Sequence, residues 1–262
     1  MITKLTVNGL NFGYHDARIL QDFFMTVQDG QIVSIVGPNG SGKSTLIKCI
    51  DRILDPESGK IMVDRLDILK MKRKDAARLI AYVPQSSLRV FPHTVFDVVL
   101  MGRRPHLGWK ADARDEEKVW EVLGLLGVET LALRLFSELS GGQQQKVLIA
   151  RALAQDTGVL LLDEPTSNLD IWHQIDVMEI LRSMVRKRRL TAIIAIHDLN
   201  MASRYSDRVL MMKKGKIHAS GKPDDVFNHE NLEAIYGIRA NVKHIQETLY
   251  VVPLSRIPVK TG

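Results

Sequence analysis

One cysteine, Cys49, stands among 262 residues. An intrachain disulfide and a cysteine-based metal site are therefore excluded, and Cys49 itself falls on a helical pattern where it reads as a small buried apolar group. Long apolar runs are missing too. The longest, such as 158-GVLLL-162 and 190-LTAIIAI-196, are strand-sized, far below the roughly 20 apolar residues a membrane span needs. The start of the chain, 1-MITKLTVNGLNFGY-14, lacks the apolar block of a secretion signal and alternates like a strand instead. No heptad pattern, internal repeat or low-complexity tract interrupts the sequence, so a coiled coil and a solenoid are not expected. A strong excess of charge of one sign is missing as well. Lys and Arg number 36 against 30 Asp and Glu, a net +6, a mild excess of the kind many soluble proteins carry. These absences leave a soluble, cytoplasmic globular chain, and a hydrophobic content of 45% supplies its core.

What is present reads as α/β. Up to about Val36, short alternating segments (Leu5 and Val7, then Phe24 to Val27) with turn residues between them predict an antiparallel sheet. Continuous apolar runs follow at 32-IVSIV-36, 159-VLLL-162 and 192-AIIAI-196, the pattern of strands buried on both faces of a parallel sheet. Helical patterns run from Lys43 to Asp51, Ile171 to Lys187 and Leu199 to Ser206. Between these lies a mainly helical stretch, about 86–155, with an amphipathic segment from Asp112 to Leu126 and a strong helix from Gly142 to Ala154. It is read as a helical insertion within one domain spanning 1–262. The tail predicts a hairpin around 213-KKGKI-217, a short helix near Asp224 to Tyr236 and weak terminal strands.

Two stretches predict anion binding. The segment 37-GPNGSGKS-44 fits G-x-x-x-x-G-K-[ST] with a strand before it and a helix after it. Its glycines let the loop fold N–H groups around a phosphate. Lys43 brings a point charge to the β and γ phosphates, and the Ser44 hydroxyl is a Mg²⁺ ligand. A nucleoside triphosphate site follows. The second stretch, 138-ELSGGQQQK-146, is a glycine turn opening a helix, with Ser140 as cap and bare N–H groups at the positive end of the helix dipole. One nucleotide has one phosphate tail, so two such turns demand an explanation.

Polar residues at strand ends complete the constellation. In 159-VLLLDEP-165 the apolar strand delivers Asp163, placed to hold the metal through water, and Glu164, poised as general base for an attacking water. Gln85, after 81-AYVP-84, offers an amide to Mg²⁺ or to that water, and His197, after 192-AIIAI-196, a ring to the γ-phosphate.

With these residues in order, the chain resembles the ATP-binding cassette proteins, the nucleotide-hydrolysing subunits of membrane transporters, over nearly its whole length. In that resemblance Tyr14 is the aromatic that stacks on adenine. Gly37, Pro38, Asn39, Gly40, Ser41, Gly42, Lys43, Ser44 and Thr45 form the Walker A motif, and Gln85 the Q-loop. Leu139 followed by Ser140, Gly141, Gly142 and Gln143 is the family signature, 159-VLLLDE-164 the Walker B motif, 167-SNLD-170 the D-loop and His197 the switch histidine. The resemblance implies ATP and Mg²⁺ as ligands, with Ser44, Gln85 and Asp163 toward the metal and Glu164, Gln85 and His197 in catalysis. It also implies a P-loop NTPase core with an N-terminal antiparallel β-subdomain and an inserted helical subdomain.

It further answers why two anion turns exist. In the family, two cassettes meet head to tail, and the signature turn of one closes over the triphosphate held by the other's Walker A loop. Asp170 lies at that seam. A narrower resemblance, carried by 94-TVFDVVLMGRRPHLGW-109, 163-DEPTSNLDIWHQIDVMEIL-181 and 197–227, is to the importers of iron-siderophores, haem and cobalamin. It implies a location at the cytoplasmic face of the membrane, polytopic permease subunits docking on residues 86–106 through exposed apolar and basic side chains, and an external binding protein. The signature continues as 143-QQQK-146, where relatives often show a charged residue and Arg, and Asn168 stands where Ala is commoner. The chain stops too soon after Tyr236 for the regulatory domain of sugar importers. The basic run 182-RSMVRKRR-189 reads as cations at a helix C-terminus, so no nucleic-acid partner is expected. Rival readings are a cassette ATPase working on DNA or ribosomes, which the missing coiled coil disfavours, and a P-loop kinase or GTPase, which the signature disfavours; an exporter shares the same chemistry.

Overall fold

The computed structural model describes residues 2–15, 17–85, 92–108, 111–167 and 169–257. They form two compact units, one made of 1–69 with 191–262 and the other of 70–190.

The first unit opens with β1 (Thr3–Tyr14) and β2 (Ala17–Gln28), an antiparallel pair whose alternation puts Leu5, Val7, Leu10 and Phe12, then Leu20, Phe23, Met25 and Val27, on the buried side. The alternation skips a residue between Val7 and Leu10, where the register shifts. Next comes β3 (Ile32–Val36), buried throughout, then the glycine loop and α1 (Lys43–Ile50). Two further strands, β4 (Ser58–Val63) and β5 (Leu66–Asp67), extend the first sheet to the order β2-β1-β4-β5, all antiparallel. The expected antiparallel sheet is present; its two outer members after α1 escape the reading because β5 is two residues long and β4 shows no clean alternation.

The second unit begins with a single helical turn, α2 (Arg73–Ala76), and β6 (Ile80–Val83). Three helices follow: α3 (Val95–Leu100), α4 (Ala113–Leu125) and α5 (Gly141–Ala154). Each has its own start signal at the front. Thr94 with Asp97, Asp112 with Asp115, and Ser140 with Gln143 all form reciprocal capping boxes. Then β7 (Val159–Asp163) pairs parallel with β6, and α6 (Ile171–Arg188) ends in Arg186, Lys187 and Arg188. The basic run thus sits in the last turn of a helix, where the dipole favours it, and Arg188 pairs with Glu121.

The chain returns to the first unit with β8 (Thr191–Ala195), α7 (Leu199–Tyr205), β9 (Arg208–Lys213) and β10 (Lys216–Gly221). There β3 lies parallel between β8 and β9, and β10 runs antiparallel to β9 across a two-residue turn, Lys214 and Gly215, both in the left-handed region. The helix expected near Asp224 to Tyr236 is two helices, α8 (Pro223–Val226) and α9 (His229–Tyr236), because Asn228 caps the second and breaks the first. The tail is not weakly stranded: β11 (Ile238–Ile245) and β12 (Thr248–Arg256) make a long antiparallel hairpin. Among the described residues no helix is long and apolar enough to cross a membrane.

Two titratable groups mark the far end of α1 and its cap. Cys49 is fully buried, and burial pushes its thiol up to about 12. Asp51 forms the C-terminal cap, and loss of water raises its carboxyl from the ordinary 3.8 to about 7. Below about pH 4 this group is protonated in both folded and unfolded chains and contributes nothing. As pH rises toward 7 the unfolded chain releases the proton first, so stability falls across that window and is flat above it. Asp51→Asn is therefore expected to match the parent's melting temperature near pH 4 and exceed it above pH 7. A full displacement carries at most ~4 kcal/mol, and ~1 kcal/mol already moves a chain of this size by ~2–4 °C. Thermal melts from pH 4 to 8 check it, and parallel curves for the two proteins would remove Asp51 as the titrating group.

Candidate functional site

The first unit carries the phosphate loop. Gly37, Gly40 and Gly42 have φ of 150°, 74° and 102°, a run of left-handed turns that only glycine takes without strain. Such a sequence turns backbone N–H groups toward one concavity. No side chain caps α1, which starts directly at Lys43 behind Gly42. Lys43 is buried, its Nζ donating to the carbonyls of Gly37 (2.8 Å) and Pro38 (3.2 Å), so the ammonium is fixed across the mouth of the loop. The Ser41 hydroxyl is buried with no protein partner. An orphaned donor, a fixed cation and an uncapped helix start together fit a phosphate chain. Ser44 follows in the first turn of α1, and Asn39 and Thr45 lie within the same loop and turn.

Tyr14 ends β1 with its ring exposed and edge-on to Phe12 at 4.8 Å, leaving a face for a flat ligand. His197 is exposed just past β8. The residue after it, Asp198, caps α7 by accepting from Asn200 N (2.8 Å) and Met201 N (3.0 Å). The Asn200 side chain in turn pairs with the backbone of Val251 in β12, donating to its carbonyl at 3.4 Å and accepting from its N–H at 2.8 Å. The terminal hairpin is thus fastened to the helix that begins two residues after His197. Asp198 before a helix was a readable cap signal; the Asn200–Val251 link has none in the sequence.

The second unit carries the acids. β7 ends in Asp163, whose carboxylate is buried and receives the Tyr82 hydroxyl at a long 3.5 Å. Mg²⁺ binds with one or two carboxylates plus phosphate oxygens, so a buried acid at a strand end fits it, with no need for a three-ligand protein cage; none exists among the described residues. Glu164 follows at φ 51°, a left-handed conformation costly for a side chain with a Cβ. It is not a helix cap, since α6 begins at Ile171 under the cap of Asp170. Instead Glu164 carboxylate oxygen Oε2 accepts from the Gln85 amide, and its own carbonyl accepts from Ser167 Oγ at 2.9 Å. Strain of this kind persists where surrounding bonds fix it, and it commonly marks a functional site. The two strand-end residues read separately from the sequence, Gln85 and Glu164, are thereby brought together.

The signature turn sits at the start of α5. Ser140 Oγ accepts from Gln143 N, and Gln143 Oε1 accepts from Ser140 N at 3.1 Å. The box uses the amides of Ser140 and Gln143, so Gln143 is held by its own helix, and the amides of Gly141 and Gly142 lie between in the first turn. The helix starts at Gly141, one residue before the expected boundary. Ser140 and Gly141 are exposed. Asp170, exposed at the front of α6, accepts from His173 N (2.9 Å) and His173 Nδ1 (2.8 Å), and these donors hold its carboxyl below the usual carboxylate range. Asn168 of the D-loop lies outside the described residues.

One expectation is corrected. Residues 86–91 of the anticipated docking segment lie outside the described residues. In the remainder, 92–106, no large apolar side chain is exposed: Val95, Val98 and Val99 of α3 are buried and Phe96 packs against Trp120 at 5.3 Å. Two of the basic groups also turn inward. Arg103 donates to Asp115 (2.9 Å) and to the Ala154 carbonyl (2.8 Å), and His106 meets the Gln155 carbonyl at 2.8 Å, so both satisfy the open C-terminal end of α5. Exposed apolar surface in the described part of this unit is carried instead by Trp120, Leu125, Leu133, Ile171 and Trp172.

Comparison with known proteins agrees with this arrangement. A family model described as ABC transporter matches residues 20–167. An ABC transporter ATP-binding protein of Methanocaldococcus jannaschii is 45% identical over 250 residues, covering 95% of this chain and 98% of its own. The petrobactin import ATP-binding protein FpuC of Bacillus anthracis is 38% identical over 260 residues, covering 98% and 95%. Among solved structures, a metal-chelate type ABC transporter in an inward-facing conformation superposes with a TM-score of 0.85 at 31% identity, covering 97% of this chain and 98% of that one.

Proposed function

The chain belongs to the ABC transporter family as an ATP-hydrolysing subunit, and from that premise we propose that it powers import of a metal chelate, an iron-siderophore, haem or cobalamin, through partner membrane subunits. The chain is one ATPase domain with a helical subdomain at about 86–155, and it works at the cytoplasmic face of the membrane. Polytopic permease subunits dock near residues 86–106, meeting exposed charged groups such as Asp97 and Arg104 rather than apolar side chains in the described part, and an external binding protein delivers the chelate.

The observation that carries the mechanism is the capped turn at Ser140 to Gln143, exposed at Ser140 and Gly141. A first-turn pair of glycine amides at the positive end of a fourteen-residue helix, Gly141 exposed and Gly142 packed behind it, is an anion site looking for a ligand. The phosphate loop already holds a triphosphate of its own, so the ligand of this turn is the triphosphate bound by a second copy. Two copies in opposite orientation then share two ATP molecules, each adenine on Tyr14 and each phosphate tail on 37–45, with Ser140, Gly141 and Gly142 of the partner completing the donors. Mg²⁺, when bound, offsets phosphate charge; Ser44, Gln85 and Asp163 are the residues that would hold it. Glu164 takes the proton of the attacking water, Gln85 orients that water, His197 contacts the γ-phosphate, and Asp170 links the two sites at the seam. Cleavage and phosphate release remove the negative bridge, and the pair opens, moving whatever is attached.

The import reading draws support from the named relative and the metal-chelate type structure. It is tested in cells deleted for this chain: uptake of radiolabelled ferric siderophore, haem or cobalamin should fall to background for one of the three and return with the parent chain. Uptake of all three at the undeleted rate would overturn it.

A further inference from the structure

We infer that His173 is a positioning residue for the shared nucleotide site, tying the D-loop carboxylate of Asp170 to the signature turn within a single chain. The inference rests on the two-copy reading above. Its observations are local to the second unit. The ring Nδ1 donates to the same Asp170 oxygen that receives the His173 amide, 2.8 and 2.9 Å. One helix-capping bond alone leaves an exposed carboxylate free to turn about its side-chain torsions. A second donor on the same oxygen fixes it. On its other side the ring lies where a Gly142 side chain would be: a Cβ built there meets Cδ2 at 2.2 Å, Cγ at 2.6 Å and Nε2 at 2.7 Å. Gly141, next door, would meet nothing within 4 Å. The two signature glycines therefore differ in kind. Gly141 is open to its surroundings, and Gly142 is glycine because the imidazole occupies its place.

A second strut runs parallel to the first, one turn further along both helices. Lys146, four residues after Gly142, pairs with Asp176, three residues after His173, at 2.7 Å, and its ammonium lies 5.8 Å from the Trp172 ring. Trp172 meets the His173 ring edge-on at 4.9 Å. With contacts at both turns, the fronts of α5 and α6 can neither slide nor rotate past each other without breaking one. The exposed donors of Ser140 and Gly141 and the carboxylate of Asp170 then behave as one rigid piece. In the two-copy reading Ser140 and Gly141 face the partner's nucleotide and Asp170 lies at the seam, whereas His173 need not touch either.

The test uses the full chain with three substitutions. His173→Leu fills the space against Gly142 without a donor, His173→Asn keeps a donor near the position of Nδ1, and His173→Ala removes both. Leu and Ala are expected to lower kcat about tenfold, the scale of coupling between residues in direct contact, with ATP affinity of the dilute chain unchanged; Asn is expected to recover most of the parent rate. In a Glu164→Gln background the Leu change should weaken ATP-driven pairing of copies, measured by sedimentation, by a similar factor. Equal rates for Leu and Asn, or pairing unaffected by Leu, would overturn the role of His173 while leaving the shared site standing. Failure of Glu164→Gln itself to pair with ATP present would bring down both.

Discussion

Glu164→Gln stops ATP turnover and leaves the nucleotide bound, accumulating a pair of copies that ATP holds together. The change is nearly isosteric, so the left-handed turn at this position and the contact with the Gln85 amide can persist. What is lost is the ability to accept a proton. Removing a positioned general base costs about 10²–10⁴ in rate, enough to separate the expected variant from the parent in a steady-state assay. The accompanying measurement is size-exclusion or sedimentation with Mg²⁺ and ATP: the parent should cycle and the variant should stay paired. Turnover by the variant near the parent rate would assign the base to another group.

Ser140→Arg is the second large effect, and it separates a shared site from a solitary one. The substitution removes the hydroxyl cap, a local loss of about 0.5–2 kcal/mol, and places a guanidinium in the turn that should face a partner's γ-phosphate. Loss of one preorganised donor to a transition-state oxyanion costs about 10²–10³ in rate, and the added bulk keeps the two copies from closing. ATP binding to the dilute chain should change little, because the phosphate loop at 37–45 belongs to the other unit and keeps its Lys43 contacts. Ser140→Ala, which loses the hydroxyl as cap and as donor but adds neither bulk nor charge, is the control and should fall between the parent and Ser140→Arg. Parent-level hydrolysis by Ser140→Arg would mean that each chain cleaves ATP unaided.

Much of the site was legible because its chemistry is local. The phosphate loop and the Ser140–Gln143 box are runs of consecutive residues whose conformations follow from glycine, serine and helix caps, and Asp163 and Glu164 announce themselves by ending a fully apolar strand. The buried strands β3, β7 and β8 were equally plain, since burial on both faces leaves an unbroken apolar run. What stayed hidden is what depends on partners distant in sequence. Strand β4 pairs with β1 about fifty residues earlier and carries no period of its own. Arg103 and His106 read as exposed cations because their partners, the carbonyls ending α5, lie some fifty residues on. His173 was quoted in the sequence as part of a pattern but given no role, because the ring's second neighbour, Gly142, is invisible without coordinates.

The bond between Asn200 and Val251 spans 51 residues, and synthesis runs in one direction. When His197 leaves the ribosome, the seven-residue helix behind it is too short to hold its form unaided, and the strand that fastens it has yet to be translated. Both neighbours of β3, β8 and β9, are also translated late, so the strand behind the phosphate loop and the helix after His197 are secured near the end of synthesis, the helix last.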